Sequence, residues 1–208
     1  MKKMPCLFVR NFHGRSFDIT EQVTPGCEWV IAGEGVASIK RDGTACMVRN
    51  GQLFKRYDAK HGKTPPTGFE PCGEPDPVTG HHPGWVPVPT ETDGPADVVW
   101  HQLAWQRWDG VDGFGLADGT YELCGPMVQG NPENLAVHTF IKHGAETSLG
   151  YQPPPKTMFV VLRSFEALRE FLRTFPHEGL VFAHPDGRMC KIRRDDFGFE
   201  WPLKKKAA

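Results

Sequence analysis

Lysine beside an Asp-Gly turn is the first feature of this chain that could do chemistry: Lys40-Arg41-Asp42-Gly43, a K-x-D-G run. Alone it describes any turn with an exposed lysine. Downstream, in order, come Tyr121-Glu122-Leu123-Cys124-Gly125, Glu178-Gly179-Leu180-Val181 and Lys191-Ile192-Arg193, each on an expected strand or strand end. Independent surface charges have no reason to fall in this order on strand ends, so the lysines, the arginine and the two carboxylates read as one site able to attack and hold a phosphate. A lysine amine attacks phosphorus only when neutral. Its ordinary pKa is about 10.4, so readiness near pH 7 calls for a shift of roughly three units, or about 4 kcal/mol. A divalent cation and neighbouring cationic side chains supply such a shift.

The elements that must position these residues are mostly strands. Before residue 58, extended runs at Glu28–Ala32, Gly35–Lys40, Thr44–Arg49 and Gln52–Tyr57 are separated by turn signals at Gly33, Asp42-Gly43 and Asn50-Gly51, the pattern of an antiparallel meander. Residues 58–96 hold nine of the 19 prolines and six of the 23 glycines, which predicts a long ordered loop rather than a helix or a central strand. Asp97–Trp108 reads as a helix, with Val98, His101, Leu103, Trp105 and Trp108 on a rough apolar face. Strands are expected at Thr120–Cys124, Ala136–Lys142 and Met158–Leu162. Ser164 caps a helix running to Thr174, with Phe165, Leu168, Phe171 and Leu172 inward. Glu178–His184 then turns at Pro185-Asp186-Gly187 into Arg188–Arg193. Many strands, two helices and no internal repeat predict an α+β architecture on antiparallel sheets: one domain over residues 1–208, with 58–96 inserted in it.

Composition narrows the rest. With 39% hydrophobic and 24% charged residues, the chain is neither wholly disordered nor a coiled coil nor collagen-like. Its 24 basic and 25 acidic side chains leave a net charge of -1, so a nucleic-acid surface must be a local patch. The longest apolar stretch, Met158–Leu162, is far short of the ~20 residues of a spanning helix. The run Met4–Val9 is too short for a secretory signal and is closed by Arg10, so a cytoplasmic protein is expected. The six cysteines stand at least nineteen residues apart, with no C-x-x-C pair, and read as reduced thiols. His81-His82 near Cys72 is the nearest thing to a ligand cluster, without zinc spacing.

From about Ser38 to Arg193 the ordered motifs resemble motifs I, III, IV and V of the covalent nucleotidyltransferase superfamily of polynucleotide ligases and RNA capping enzymes. Within it the chain is most similar to the short ATP-dependent 5′-to-3′ RNA ligase family, which the stretch Ala136–Gly144 and the insertion from Arg56-Tyr57-Asp58 to Gly84-Trp85 also resemble. The resemblance implies an antiparallel-sheet nucleotidyltransferase fold, the ATP-grasp-like adenylation domain of ligases, from which the chain is expected to depart in having no OB-fold after it. It implies joining of RNA 5′-phosphate and 3′-hydroxyl ends through lysyl-AMP. Lys40 would take the AMP. Lys191 would contact the α-phosphate and disfavour a second positive charge on Lys40, and Arg193, where many relatives have lysine, would hold phosphate oxygens with its planar fork. Glu122 would accept from ribose hydroxyls, and Glu178 would bind Mg2+ or Mn2+ directly or through water. Ile39, Asp42 and Gly43 would line the nucleotide beside the nucleophile, and Arg56 or Lys55 would face the ribose or the RNA end. Phe140 either stacks on adenine or is a core strand aromatic. Glu178 and Lys191, on paired strands, are expected to matter more to chemistry than to folding.

The motifs alone leave open a DNA ligase or GTP-using capping enzyme on the same lysine. Intact Lys40, Glu122, Glu178 and Lys191 speak against a binding module that has lost catalysis. A kinase reading of Gly33-Glu34-Gly35 running into Lys40, with Asp196-Phe197-Gly198 as D-F-G, fails on spacing and lacks a catalytic loop, so both fragments read as chance. Arg188, Lys191, Arg193, Arg194 and Lys204–Lys206 form a basic strip that would attract RNA phosphates.

Overall fold

The computed structural model describes residues 4–14, 16–77, 79–89, 98–109, 116–143 and 163–202. In chain order the elements are β1 (Phe8–His13), β2 (Ser16–Val23), α1 (Glu28–Ile31), β3 (Val36–Lys40), β4 (Thr44–Arg49), β5 (Gln52–Ala59), β6 (Glu70–Pro71), β7 (His82–Pro87), α2 (Val99–Asp109), β8 (Gly119–Cys124), β9 (Thr139–Lys142), α3 (Phe165–Thr174), β10 (Gly179–Ala183), β11 (Met189–Arg193) and a 3-10 turn, Asp195–Phe197. The chain is sheet-rich α+β with antiparallel sheets, and no described helix is long and apolar enough to cross a membrane. It divides into two compact units, one beginning at Asp42 and holding β4 to β9, the other holding β1 to β3 with α3, β10 and β11.

In the second of these units the sheet order is β11-β10-β3, beside the separate β1-β2 hairpin. Alternation sends Ala37, Leu180, Phe182, Cys190 and Ile192 to one face, where all are buried with Leu168 and Leu172 of α3. The helix starts where expected: Ser164 accepts a hydrogen bond from the Ala167 N–H. Two expectations change here. Glu28–Ala32 is a helical turn, not a strand. The Val30 N–H donates to Cys27 O (3.0 Å) and the Glu28 carboxylate accepts from the Gly26 N–H (2.8 Å), so local bonds wind a run of bulky residues and bury Trp29 and Val30. The β1-β2 hairpin is an element that the turn signals before residue 28 did not announce.

The other unit is a six-stranded sheet, β6-β7-β5-β4-β8-β9. Cys46, Val48, Leu53, Tyr121, Leu123 and Phe140 form its buried face, on which Val98 and Ala104 pack. Leu103, expected inward on α2, is exposed, because the buried positions 98, 101, 102 and 104 put it outside their arc. The β4-β5 hairpin closes at Asn50-Gly51 as expected, but β3 pairs with β10 and not with β4, so the meander is broken at the K-x-D-G run. The reason lies in pairing: β10 offers β3 a ladder over its whole length, from Val36 to Lys40, while the Asp42 N–H donates to Glu133 Oε1 (3.3 Å) and the Gly43 N–H to Glu122 Oε1 (3.2 Å), which holds the Asp-Gly step in place.

Residues 58–96 are not loop throughout. β7 lies between β5 and β6 although it holds Pro83 and Pro87. Pro83 O accepts from the Cys72 N–H (3.0 Å), on the β6 side, so the missing N–H of Pro83 also points there. The Val88 N–H donates to Leu53 O (2.8 Å) on the opposite side, which turns Pro87 toward β6 as well. β6 is two residues long, so the prolines cost the sheet almost no ladder bonds. The expected strand Met158–Leu162 and the lysines 204–206 lie outside the described residues.

Candidate active site

Register decides which motif residues meet. On the sheet β11-β10-β3, Gly179 stands opposite both Lys40 and Arg193, and Val181 opposite both Ser38 and Lys191. Since the side chains of directly paired residues share a face, Lys40, Lys191 and Arg193 rise together from the face opposite the core. Gly179 sits in the middle of the row. A Cβ there would lie 2.1 Å from Ile192 O and 2.7 Å from Arg193 Cα, so only glycine lets β10 approach β11 this closely.

Glu178, just ahead of β10, closes the group. Its Oε2 pairs with Lys40 Nζ, and its Oε1 lies 3.9 Å from Arg193 Nη1. It is only 7% exposed. A carboxylate so buried is held in place by the two cations it bridges. Lys191 is pinned through its backbone: its N–H donates to Pro5 O (2.9 Å) and its O accepts from the Leu7 N–H (2.7 Å). Burial, then the charges of Lys40, Arg193 and Arg10, hold the Lys191 ammonium below the usual lysine pKa, partly offset by Glu178.

Two residues of this cluster were not found from sequence. Asp196, discounted as part of a chance D-F-G, has a fully buried carboxylate that pairs with Arg10, accepts from the Arg193 N–H (2.7 Å) and lies 3.5 Å from Arg193 Nη2. Arg10 comes from β1, whose turn signals are weak. Arg194, placed in a basic strip by sequence, belongs to the core. It is 5% exposed and donates to the carbonyls of Leu172 (2.5 Å), Arg173 (3.2 Å), Phe175 (2.7 Å) and Glu200 (3.1 Å), satisfying the last turn of α3. Ile39 points to the core face, away from Lys40.

The remaining motif residues lie in the six-stranded unit. Glu122 is fully engaged: Oε1 accepts from Gly43, and Oε2 pairs with His143 Nε2 at 2.9 Å. A Cβ on Gly43 would fall 2.3 Å from Leu123 O, so the glycine of K-x-D-G is required by the approach to β8. Arg56 and Glu122 project from the face opposite the buried one, and Arg56 lies over Trp85 (5.2 Å) with Nη1 2.9 Å from Cys72 Sγ. Lys55 takes the buried face. Phe140 is 2% exposed, edge-on to Trp105 and Tyr121, which makes it the core aromatic rather than a platform for a base. His81 pairs with Asp58 (2.9 Å) and His82 with Gly73 O (2.7 Å), and among the described residues no three His, Cys, Asp or Glu side chains gather as a metal cluster. All six cysteines are unbridged.

No family model matches the chain. It is 27% identical to "RNA ligase 1" of Danio rerio and of Mus musculus, and 26% identical to that of Rattus norvegicus, each match covering 97% of this chain and 82% of the relative. Likeness to one kind of protein over nearly its whole length, joined to the ordered motifs from Lys40 to Arg193, makes this chain a distant relative of the RNA ligases.

Proposed function

We propose that the protein is an ATP-dependent RNA ligase with a nucleotidyltransferase fold over residues 1–208, residues 58–96 being its insertion. The observation that carries the reading is the row Lys40, Arg193 and Lys191 on one sheet face with Glu178 bridging the first two. Three cations on one rigid face suit a triphosphate, and of the two amines in the row Lys40 is the one at a strand end, where it can reach phosphorus. Lys40 Nζ attacks the α-phosphorus of ATP, the bond to pyrophosphate breaks, and Lys40 loses a proton as the phosphoramidate forms. An RNA 5′-phosphate oxygen then takes the AMP, freeing Lys40 and forming a 5′-5′ pyrophosphate. The RNA 3′-hydroxyl displaces AMP from that bond and the phosphodiester is made. Lys191 and Arg193 hold the charge that grows on the phosphate oxygens.

The donor set fits Mg2+ or Mn2+ arriving with the nucleotide, since such ions need only one or two carboxylates besides phosphate oxygens. Glu178 is the residue that would hold it, and the ion would supply charge neutralisation at the phosphates. Glu178 keeps Lys40 paired and in place.

Intact mass after incubation with ATP or GTP tests the reading. An AMP-sized gain with ATP alone, mapped to Lys40 and lost in Lys40→Ala and Lys40→Arg, is the expected result, because a guanidinium does not deprotonate in this range. AMP on a different lysine, or a gain with GTP alone, would overturn it.

A further inference from the structure

The β1-β2 hairpin carries an aromatic ledge that runs out of the core and ends beside the phosphate-binding cations. On β1, Phe8, Arg10 and Phe12 share a face; directly opposite on β2 stand Val23, Ile19 and Phe17. Phe8, Ile19 and Val23 pack into the core cluster. Phe12 is 66% exposed, its ring 5.7 Å from that of Phe17, and the Arg10 guanidinium lies over the Phe17 ring at 4.8 Å.

A lone exposed phenylalanine needs no explanation. Here the exposed ring is continuous with a charged site: Arg10 touches Phe17 on one side and Asp196 on the other, and Asp196 holds Arg193 by its N–H (2.7 Å) and guanidinium (3.5 Å). The Nε of Arg10 is buried with no hydrogen-bond partner among the described residues, a donor left over at the junction of rings and cations. Around it Arg10, Lys40, Lys191 and Arg193 face Glu178, Asp195 and Asp196, four cations against three carboxylates. Adjacent stacking surface and surplus positive charge match an unpaired nucleotide, whose base has two flat faces and whose backbone is anionic.

We infer that Phe12 and Phe17, with Arg10, bind the single-stranded end of an RNA, the base stacking on the rings and the adjoining phosphate meeting Arg10. The choice of RNA rests on the function proposed above. Stacking reads no base edge, so the ledge accepts any base with modest preference.

The test is fluorescence anisotropy of a labelled single-stranded RNA with the full chain, in moderate salt and without ATP. Phe12→Ala weakens binding about 5- to 150-fold, the range expected for one lost base-aromatic stack. Phe12→Tyr restores it, and the melting temperature of both variants serves as the check on folding. Unchanged affinity in Phe12→Ala, or no binding of single-stranded RNA by the unaltered chain, would overturn the inference. So would a change of oligomeric state by size exclusion on Phe12→Ala, which would make the ledge a protein contact. Adenylation of the unaltered protein with no effect at Phe12 would remove the ledge and keep the enzyme; the Phe12 effect without adenylation would do the reverse.

Discussion

Replacing Glu178 with glutamine keeps its shape and removes the charge that bridges Lys40 and Arg193. At the 3.9 Å separation from Arg193, two unit charges in an effective dielectric of about 20 attract by about 4 kcal/mol. The side chains of Lys40 and Arg193 are 20% and 22% exposed, so solvent screens part of this, and glutamine avoids the cost of burying an ion. The net loss is about 1–3 kcal/mol, or roughly 2–12 °C of melting temperature for a chain of this length. Chemistry suffers more. Under the proposed function, loss of a carboxylate that would hold a divalent ion costs several kcal/mol at the transition state, and about 2.7 kcal/mol already slows adenylation 100-fold. The assay is the initial rate of AMP incorporation, read by intact mass at saturating ATP and Mg2+, well below the melting temperature of the variant. A rate equal to that of the unaltered protein would reduce Glu178 to a structural ion pair. An unchanged melting temperature would refute the bridging geometry.

Lys191→Met separates stability from chemistry in the opposite sense. Because the folded state holds the Lys191 proton less tightly than the unfolded chain, stability rises with pH between the depressed folded pKa and about 10.4. At pH 7 the ammonium opposes folding, so Lys191→Met raises the melting temperature there, the gain disappears by about pH 10.5, and AMP incorporation is lost; a fall in melting temperature at pH 7 would contradict this. Arg194→Met strips four carbonyls of their donor and lowers stability by about 3–5 kcal/mol, roughly 6–20 °C by calorimetry. The salt dependence of RNA binding stays as it was in that variant, and a shallower slope would return Arg194 to the RNA surface.

Much of this chain was legible in its order of residues. Local chemistry determined the Ser164 cap, the Asn50-Gly51 hairpin and the strands around Glu178 and Lys191, because caps, turns and period-2 alternation are set by near neighbours. The ordered motifs also named Lys40, Glu178, Lys191 and Arg193 before any contact was known. Tertiary structure decided what non-local pairing controls. That Lys40 and Arg193 flank Gly179 depends on a register between segments some 140 residues apart, and β3 joins β10 through a ladder that no local turn signal announces. Proline counts hid β7, since what matters is the side on which each missing N–H falls. Charge alone put Arg194 among the RNA-facing residues, and motif spacing discarded Asp196; only burial distinguished a cation that satisfies a helix end from one that faces outward, and an acid at random from one that holds two arginines. A side chain's type is written in the sequence, but its partner is set by the fold, and partner and burial together determine what a charge can do.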